Sequence, residues 1–429
     1  MTPLAPLPFP ETSFALVLGL LLLAPLAIAG VALINTGLGR SRSAAQSLLG
    51  SLVVISTGVI AFALVGSALA AGTSGDHVFH LAGKAWNWAG ADPLFLEGFS
   101  AAPARMQLSL LFELLSVALV ALIPWGSGAD RLRLPAGAVI AAILGAAVFP
   151  LVAHWTWGGG WLAQLGVNFS AGGGLLDGGG AAAIHALGGV SALAVVWIAG
   201  PRKGKFPHEG LSTAMPGHNV VYVLLGCLIA LVGWLAWNMA GSLLWLNAAP
   251  GGLVTTAVNT FLSAAAALVA TFSVTRIRFG KPDASLCANG WLAGLVTSSA
   301  CAGVVSPLAA LFAGLVAGII TPLLVELFEL ALSIDDPSGA ISVHGAAGLW
   351  GLAAAGIFTP QQGQFAAQLI GVSTLLGLML PLVYLVLWLV NRVLALRVDP
   401  DGERLGMDLH ELGGNAYPEF VVHRDESYR

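Results

Sequence analysis

Two histidines occupy matching sequence frames within apolar segments of the chain. The segments read LDGGGAAAIHALGGVSAL and DDPSGAISVHGAAGLWGL. Each contains an aspartate, a histidine eight residues later and a glycine four residues after that: Asp177, His185 and Gly189 in the first segment, and Asp336, His344 and Gly348 in the second. A single histidine among apolar residues is usually a hydrogen-bonded core residue, but two in matching frames favour a shared function.

The type and spacing of these residues suit proton exchange inside a membrane. Histidine titrates near neutral pH, and its ring can both donate and accept hydrogen bonds. An aspartate just before an apolar helical run caps the helix by accepting bonds from its free N–H groups. At the rise of an α-helix, each histidine lies about 12 Å beyond its capping aspartate. We therefore expect His185 and His344 to meet at a similar depth, as a relay or as a site for a small hydrogen-bonding molecule.

The composition excludes a soluble protein. The chain has 429 residues, of which 57% are hydrophobic and 9% charged, and its mean hydropathy is +0.88. Soluble domains carry about 25% charged residues, and so few charges cannot cover the surface of a water-soluble chain of this length. The net charge of −4 argues against nucleic acid as a partner. We therefore expect an integral membrane protein.

Eleven apolar stretches are long enough to span a membrane as helices, which takes about 20 residues. They lie at about 13–37, 47–71, 106–125, 133–155, 180–200, 219–245, 253–277, 286–304, 306–328, 341–359 and 363–395. Helix is the expected form, because backbone polar groups in lipid must be satisfied within their own segment. The stretches are too long and too uniformly apolar for barrel strands. Runs rich in small residues, such as GLVAGIITP, predict a tightly packed bundle.

Basic residues predict the orientation of the chain. Of the 17 Lys and Arg residues, all but Lys84 and Arg105 follow odd-numbered stretches or lie in the C-terminal tail. Because cytoplasmic loops carry the excess of basic residues, we expect the N-terminus outside and the C-terminus in the cytoplasm. We expect a transmembrane domain over 1–397 and a cytoplasmic tail over 398–429. The first stretch follows no basic residue and is longer than a signal-peptide core, so we expect it to be retained.

The spacing of the two histidine segments predicts an internal repeat. The histidines are 159 residues apart, which is about five predicted spans. Because five is odd, the two halves must cross the membrane in opposite directions. Inverted repeats with a site near the midplane are a common transporter design. We therefore expect an all-α membrane protein with an inverted five-helix repeat plus one extra helix.

Glu113 is a further candidate for chemistry inside the membrane. It lies about a third of the way into the third predicted span, and ionisable residues at such places usually face a cavity or the bundle interior. A functional polar site and a structural hydrogen-bond network are both consistent with it. The paired histidines lack the further carboxylate or histidine ligands of a metal site, so we expect neither a metal nor a cofactor.

At these residues and in the segments around them, the chain resembles the ammonium transporter (Amt/Rh/MEP) family. The matching segments run from about residue 28 to 418 and include GLGRSRSAAQS, ADRLRL, AHWTWGGGWLA, GPRKGK, ANGWLAGLV and DLHELGGNAYPEF beside the two histidine segments. No single segment is specific, whereas their combination is. The resemblance implies eleven helices with a pseudo-twofold inverted repeat, a homotrimer, and one pore through each monomer.

The resemblance also implies roles for individual residues. They are the paired pore histidines His185 and His344, the outer-mouth residues Trp157 and Ser242, the acidic Asp177 beside the recruitment site, and Asp336 as the cap of the second histidine helix. An aromatic face attracts a cation by ~0.5–2 kcal/mol. A hydroxyl accepts a hydrogen bond from ammonium, whereas potassium has none to donate. These roles predict a mouth that recruits ammonium in preference to potassium.

The predicted gate departs from the family pattern. The family stacks two phenylalanines below the outer mouth, and Ser116 and Trp237 stand at those positions. Trp237 therefore belongs to the gate region and adjoins the recruitment site, while Phe112, one turn from Ser116, is the candidate replacement. The segment WNMAGS carries one residue more than the usual spacing before Ser242, and Glu113 replaces what is commonly an amide.

The C-terminal segment resembles the cytoplasmic regulatory tail of the family. Asp408, Gly413 and Tyr417 match its motif. In relatives this tail couples subunits, and PII-type signalling proteins can block the pore from that side. The residues alone leave a solvated polar tail open as the alternative.

These observations favour transport of ammonium or ammonia, with recruitment at the outer mouth, deprotonation, and passage along the histidines. Because the gate is altered, a second hypothesis is a receptor-like member of the family that binds ammonium and conducts little or nothing. A third hypothesis is a channel for a neutral gas, whose function would not depend on Trp157 and Asp177. We expect no enzymatic activity, and a location in the cell membrane, which in a bacterium is the inner membrane.

Overall fold

Each of the eleven predicted stretches forms a helix in the computed structural model, which describes residues 10–71, 78–207, 212–249 and 251–418. The helices are α1 Glu11–Leu38, α2 Ser41–Ala70, α3 Ala104–Ser127, α4 Leu134–Thr156, α5 Ala181–Ala199, α6 Val220–Trp245, α7 Gly252–Phe279, α8 Ala284–Cys301, α9 Pro307–Leu330, α10 Ile341–Phe358 and α11 Gln364–Val393. Within the described ranges, ten of them, all but α8, are long and apolar enough to cross a membrane. The helical membrane architecture is thus confirmed, and the count of eleven spans stays a prediction.

Helix α8 differs from the others in its surroundings. Fourteen of its 18 residues are buried, and it packs among α6, α7, α9 and α10. Its polar side chains find partners there, since Trp234 donates to Ser299 and Asn238 donates to Ser298, both at 2.9 Å. Because neighbouring helices rather than lipid surround α8, it tolerates a less apolar composition than a lipid-facing span.

Small residues set the distance between neighbouring helices, as the glycine-rich stretches predicted. A Cβ added at Gly318 in α9 would lie 2.1 Å from the carbonyl oxygen of Ala267 in α7. A Cβ added at Gly226 in α6 would lie 2.7 Å from the carbonyl oxygen of Gly30 in α1. Both distances are far below van der Waals contact, so a larger residue would push the helices apart.

A short β-hairpin departs from the all-α prediction. Strands β1 Val78–Leu81 and β2 Lys84–Asn87 pair antiparallel, and both turn residues, Ala82 and Gly83, have positive φ, as a tight hairpin turn requires. It was not predicted, because strands of four residues are too short to show alternation. Distant residues stabilise the hairpin: the backbone N–H of Asn87 donates to Gln164 at 2.9 Å.

The connecting segments divide between two faces of the bundle. The tail face comprises residues 39–43, 128–133, 200–207, 212–219, 331–340 and 394–418, which contact one another. The hairpin face comprises residues 78–103, 157–180, 246–249, 302–306 and 359–363, which are likewise in contact. Which face lies in the cytoplasm stays a prediction.

Buried ionic residues hold the tail face together. Arg202 donates from Nε and Nη2 to the carboxylate of Asp335, each at 2.9 Å, and from Nη1 to Asp130 at 3.0 Å. Arg131 donates to the Asp335 carbonyl oxygen at 2.7 Å. Burial raises the pKa of the Asp335 carboxyl, but the guanidinium groups of Arg131 and Arg202 outweigh it and lower the pKa to about 2. These loops are therefore joined by a carboxylate that is charged at neutral pH.

The described part of the tail, residues 398–418, packs against this face; residues 419–429 lie outside the described residues. Asp408 is buried and accepts bonds from the backbone N–H groups of Ala45, at 3.1 Å, and Gln46, at 2.7 Å, in the first turns of α2. Glu411 accepts from the N–H of Leu134 at the start of α4, at 3.0 Å. The tail thus caps two helices of the bundle, whereas a solvated tail would make no such contacts.

A second contact joins the end of the tail to the start of α6. The Nδ1 of His218 lies 3.0 Å from the carbonyl oxygen of Gly39, and its Nε2 lies 3.1 Å from the hydroxyl of Tyr417. Because Gly39 can only accept, Nδ1 is the donor there. Gly413 has a φ of +74° where the chain leaves the turn Asp408–Leu412, a conformation that favours glycine.

Replacing Asp408 by Asn should loosen the tail. The substitution removes the negative charge that accepts two hydrogen bonds from the backbone of α2. It should weaken the attachment of the tail by about 1–2 kcal/mol. We expect faster amide hydrogen exchange in residues 400–417, measured by mass spectrometry. Asp401→Asn is the control, because its carboxylate is exposed and pairs only with an exposed Arg404. Equal exchange in the two variants would show that Asp408 does not hold the tail.

The ion cluster of the tail face, formed by Asp130, Arg131, Arg202 and Asp335, should make stability depend on pH in the acid range. The Asp335 pKa is lowered from 3.8 to about 2, so its contribution is complete above about pH 4 and is lost as pH falls towards 2. Asp335→Asn should lower the free energy of unfolding by at least ~2 kcal/mol at pH 7, and its difference in stability from the parent protein should shrink below pH 4. Apparent unfolding temperatures in detergent test this, with Asp401→Asn as the control. A gap that stays constant from pH 7 to pH 3 would contradict it.

Candidate functional site

The two histidines of the repeat meet inside the bundle. The Nδ1 atoms of His185 and His344 lie 3.2 Å apart, and the ring centroids 5.2 Å apart with planes inclined by 23°. Both side chains are buried, with 1% and 3% exposure. Since two Nδ1 atoms face each other, one ring must donate there and the other must accept. The pair is therefore a direct hydrogen-bonded link between α5 and α10.

Matching carboxylates begin the two histidine helices. Asp177 Oδ2 accepts from the backbone N–H groups of Ala182, at 3.1 Å, and Ala183, at 3.0 Å. Asp336 Oδ2 accepts from the N–H of Ile341 at 2.7 Å. The free N–H groups at both buried helix starts are satisfied in the same way, and this fixes where each helix begins.

The first turns of these helices are π-helical, which the sequence did not predict. They span Ala181–Ala186 and Ile341–Ala346, and each contains its histidine. The expectation of a regular α-helical rise from cap to histidine is therefore wrong. Gly180 and Gly339, each three residues after an aspartate, have φ of +88° and +69°, which lets the chain turn from the cap into the helix. Single π turns are frequent at functional sites.

The glycines after the histidines allow the two helices to cross. A Cβ at Gly189 would lie 2.2 Å from the Cα of Gly345, and a Cβ at Gly348 would lie 3.0 Å from the backbone nitrogen of Ala186. Each glycine thus packs against the residue that follows the opposite histidine. This reciprocal contact brings the two backbones close enough for the imidazoles to touch.

Trp234 completes the histidine pair and was missed by the sequence analysis. Its ring stacks on His185 with centroids 5.0 Å apart and planes inclined by 14°. Its Nε1 donates to Ser299 of α8 at 2.9 Å, which fixes the plane of the indole. No spacing rule joins Trp234 to His185, because they lie on different helices.

Trp157 lies at the hairpin face above the histidines. Its Nε1 donates to the backbone carbonyl of Asp177 at 2.6 Å, which joins it to the cap of α5. The ring centroid of Phe112 lies 5.3 Å from that of Trp157, with the two planes inclined by 86°. Trp245 stacks on Trp157, with centroids 5.2 Å apart and planes inclined by 10°. The other carboxylate oxygen of Asp177, Oδ1, is buried and has no hydrogen-bond partner among the described residues.

Phe112 takes the central place among the predicted gate residues. It is fully buried and lies 5.2 Å from the ring centroid of Trp237. The Ser116 hydroxyl donates to the Phe112 carbonyl in its own helix at 2.7 Å. The aromatic contact in this region is therefore made by Phe112 with Trp237, and Ser116 takes no part in it.

Ser242 packs against α7. Its hydroxyl lies 3.4 Å from that of Thr256 in α7. The neighbouring Gly241 lies against the loop after Asp177: a Cβ there would be 1.9 Å from the carbonyl oxygen of Gly178 and 3.4 Å from the Phe112 ring. Consecutive residues of a helix are turned by about 100° from each other, so Gly241 and Ser242 lie on different sides of α6.

Glu113 is a buried carboxyl group in α3. Glu113 is 8% exposed and forms no hydrogen bond or ion pair with another described residue. A structural network around it is therefore absent from the described part of the chain. Within the same residues, no cluster of three His, Cys, Asp or Glu side chains could hold a metal ion.

Comparisons with known proteins point to one family. The model of the Ammonium Transporter Family matches residues 14–417. The ammonium transporter Amt2 of Archaeoglobus fulgidus is 34% identical over 419 residues, which cover 93% of this chain and 86% of the relative. The ammonium transporter Amt2 of Haloferax mediterranei is 31% identical over 408 residues, covering 91% of this chain and 87% of the relative. Together with the ten apolar helices, these relatives identify a multi-pass membrane protein.

Solved structures share the fold. A structure described as a sensor Amt protein superposes with a TM-score of 0.84 at 27% identity, covering 93% of this chain and 98% of that one. Mep2 of Candida albicans superposes with a TM-score of 0.78 at 23% identity, covering 97% of this chain and 92% of that one. At that identity, the likeness to Mep2 concerns the fold alone.

Replacing Gly189 by Ala should separate the histidine helices. The added Cβ meets the backbone of Gly345, which cannot rotate away, so we expect the free energy of unfolding to fall by ~1–3 kcal/mol. The apparent unfolding temperature in detergent, followed by tryptophan fluorescence, measures it. Gly19→Ala is the control, because nothing lies within 4 Å of its Cβ position, and alanine there should be neutral or slightly stabilising. Equal stability of the two variants would disprove the close crossing.

Proposed function

Because the chain belongs to the ammonium transporter family, we propose that it moves ammonium or ammonia across a membrane through a pore in each subunit. The 3.2 Å contact between His185 and His344 is the observation that carries this proposal. Two adjoining imidazoles provide a continuous path for a proton and hydrogen bonds for a small molecule. Their burial keeps the path separate from bulk water.

Recruitment in this proposal uses Trp157, Asp177 and Ser242. The ring of Trp157 attracts a cation by ~0.5–2 kcal/mol. Asp177 Oδ1, which lacks a partner among the described residues, is an acceptor for an ammonium N–H. Ser242 contributes its hydroxyl from the side of α7, 3.4 Å from Thr256. Potassium is attracted by the ring but donates no hydrogen bond, so the acceptors favour ammonium.

The histidine pair then separates the proton from ammonia. A proton taken up at the bare Nε2 of one ring can cross the Nδ1–Nδ1 contact and leave from the Nε2 of the other, after which the two rings have exchanged tautomers. Trp234 keeps His185 in the plane that this exchange needs, since the rings stack at 5.0 Å. Passage as ammonia avoids the cost, several kcal/mol, of moving an ion through an apolar pore.

Phe112 and Trp237 form the gate between the mouth and the histidines in this proposal. Their rings lie 5.2 Å apart, and aromatic rings can turn aside without breaking a hydrogen bond. Glu113, beside Phe112 in α3, adds a carboxyl group below the mouth. It is buried without a described partner, which supports a role in the polar path rather than in a structural network.

Family membership supports the remaining assignments, which we propose as well. We propose eleven spans with an inverted five-helix repeat plus one extra helix, a homotrimer, and a bacterial inner membrane location. The tail face lies in the cytoplasm and the hairpin face outside. Residues 1–397 form the transport domain, and 398–429 a regulatory tail whose Asp408, Gly413 and Tyr417 pass the state of a PII-type partner to the helices. The capping of α2 by Asp408 supports this coupling.

An ammonium sensor with little or no conduction is the second candidate. Two observations favour it: the likeness to a structure described as a sensor Amt protein, and the dense packing of Phe112 against Trp157, Trp237 and Trp245. Such a protein would keep the recruitment site and would signal through its tail. It need not keep a path along the histidines.

Electrophysiology on solid-supported membranes should separate these functions. With purified protein in liposomes, we expect an ammonium jump to give a sustained current and a potassium jump to give none. His185→Ala should abolish the current, because the proton loses its path. His80→Ala is the matched control, since His80 is an exposed residue of the hairpin.

Other outcomes have distinct meanings. A transient current alone would favour the sensor. No current, combined with an ammonia flux detected by a pH dye inside the vesicles, would favour a neutral-gas channel. A sustained current that survives in folded His185→Ala would overturn the proposed relay.

A further inference from the structure

Trp245, the last residue of α6, covers one face of the Trp157 ring. Its indole lies parallel to that of Trp157, with centroids 5.2 Å apart and planes inclined by 10°. Phe112 stands beside this stack and meets both rings nearly at right angles, at 86° and 77°. The Nε1 of Trp245 is buried and has no hydrogen-bond partner among the described residues. The ring is therefore held by stacking.

The chain around Trp245 is anchored on both sides. Arg105, in the first turn of α3, donates to the carbonyl oxygen of Leu244 and, at 3.0 Å, to Oδ1 of Asn247. A cation at this position complements the carbonyl groups that end α6. Leu246 packs over the loop after Asp177, since a Cβ at Gly178 would lie 2.7 Å from its side chain. These contacts hold Trp245 over the mouth.

The stack is incompatible with a cation on that face of Trp157. An atom between two rings needs a contact of about 3.5 Å to each, so the rings must stand about 7 Å apart. The observed 5.2 Å leaves no such space. A cation that binds this face must first displace Trp245.

We propose that Trp245 is a lid that competes with the substrate cation for the face of Trp157, and that it sets the apparent affinity of the mouth. This inference rests on the proposed recruitment of ammonium at Trp157. When only a fraction of molecules is open, the apparent dissociation constant is raised by the inverse of that fraction. The stack thus makes the site respond at higher ammonium concentrations than an uncovered tryptophan would.

Ammonium titrations of the current in proteoliposomes test the lid. Trp245→Leu should lower the half-saturating concentration by about two- to tenfold, the change expected when one aromatic pair is lost. Arg105→Gln should shift it in the same direction, because it releases the anchor and leaves the ring in place. Trp88→Leu is the matched control, since Trp88 forms a stacked pair with Trp161 at 6.0 Å and 20°, away from Trp157; it should leave the value unchanged.

A binding measurement keeps the test independent of transport. In detergent, ammonium should alter the near-ultraviolet circular dichroism of the tryptophans, potassium should not, and the ammonium-dependent change should be absent from folded Trp245→Leu. If the parent protein shows this change but carries no current, the proposed transport fails and the lid stands. An unchanged or raised half-saturation in folded Trp245→Leu would overturn the lid, and so would an ammonium-dependent change that this variant retains.

Discussion

Carboxylates that accept bonds from free backbone N–H groups are the interaction on which this structure depends. A helix that starts inside a bundle leaves N–H groups that water cannot reach, and each one unsatisfied is costly. Asp177 and Asp336 satisfy them for the two histidine helices, and Asp408 does so for α2. These caps fix the depth at which α5 and α10 begin, and thereby the depth of His185 and His344.

The caps also connect the histidine pair to the tail face. Asp336 accepts from the Ser127 hydroxyl at 2.8 Å, while the adjacent Asp335 binds Arg202 with both carboxylate oxygens. Two neighbouring aspartates thus have different tasks, one at a helix start and one in the ion cluster. Because the two residues are consecutive, the ion cluster of the tail face and the cap of α10 lie on one stretch of backbone.

At the opposite face, aromatic side chains pack against one another. Phe112 contacts Trp157, Trp237 and Trp245, so the aromatic contacts of this region meet at one residue, one turn before Ser116 in α3. Aromatic pairs form in both offset-stacked and edge-to-face arrangements, and both occur around Phe112 and Trp157.

The sequence by itself determined the eleven helices, the matched histidine frames and the caps. Membrane thickness fixes the length of an apolar helix, and an aspartate acts on N–H groups a few residues away, so both signals are local. Tertiary structure alone decided the π turns at Gly180 and Gly339, the hairpin held by Gln164, and the stacking of Trp234 and Trp245. It also decided that Gly241, and not Ser242, faces Phe112. Each of these depends on which side chain a neighbouring helix or loop presents, and no spacing along one chain segment contains that information.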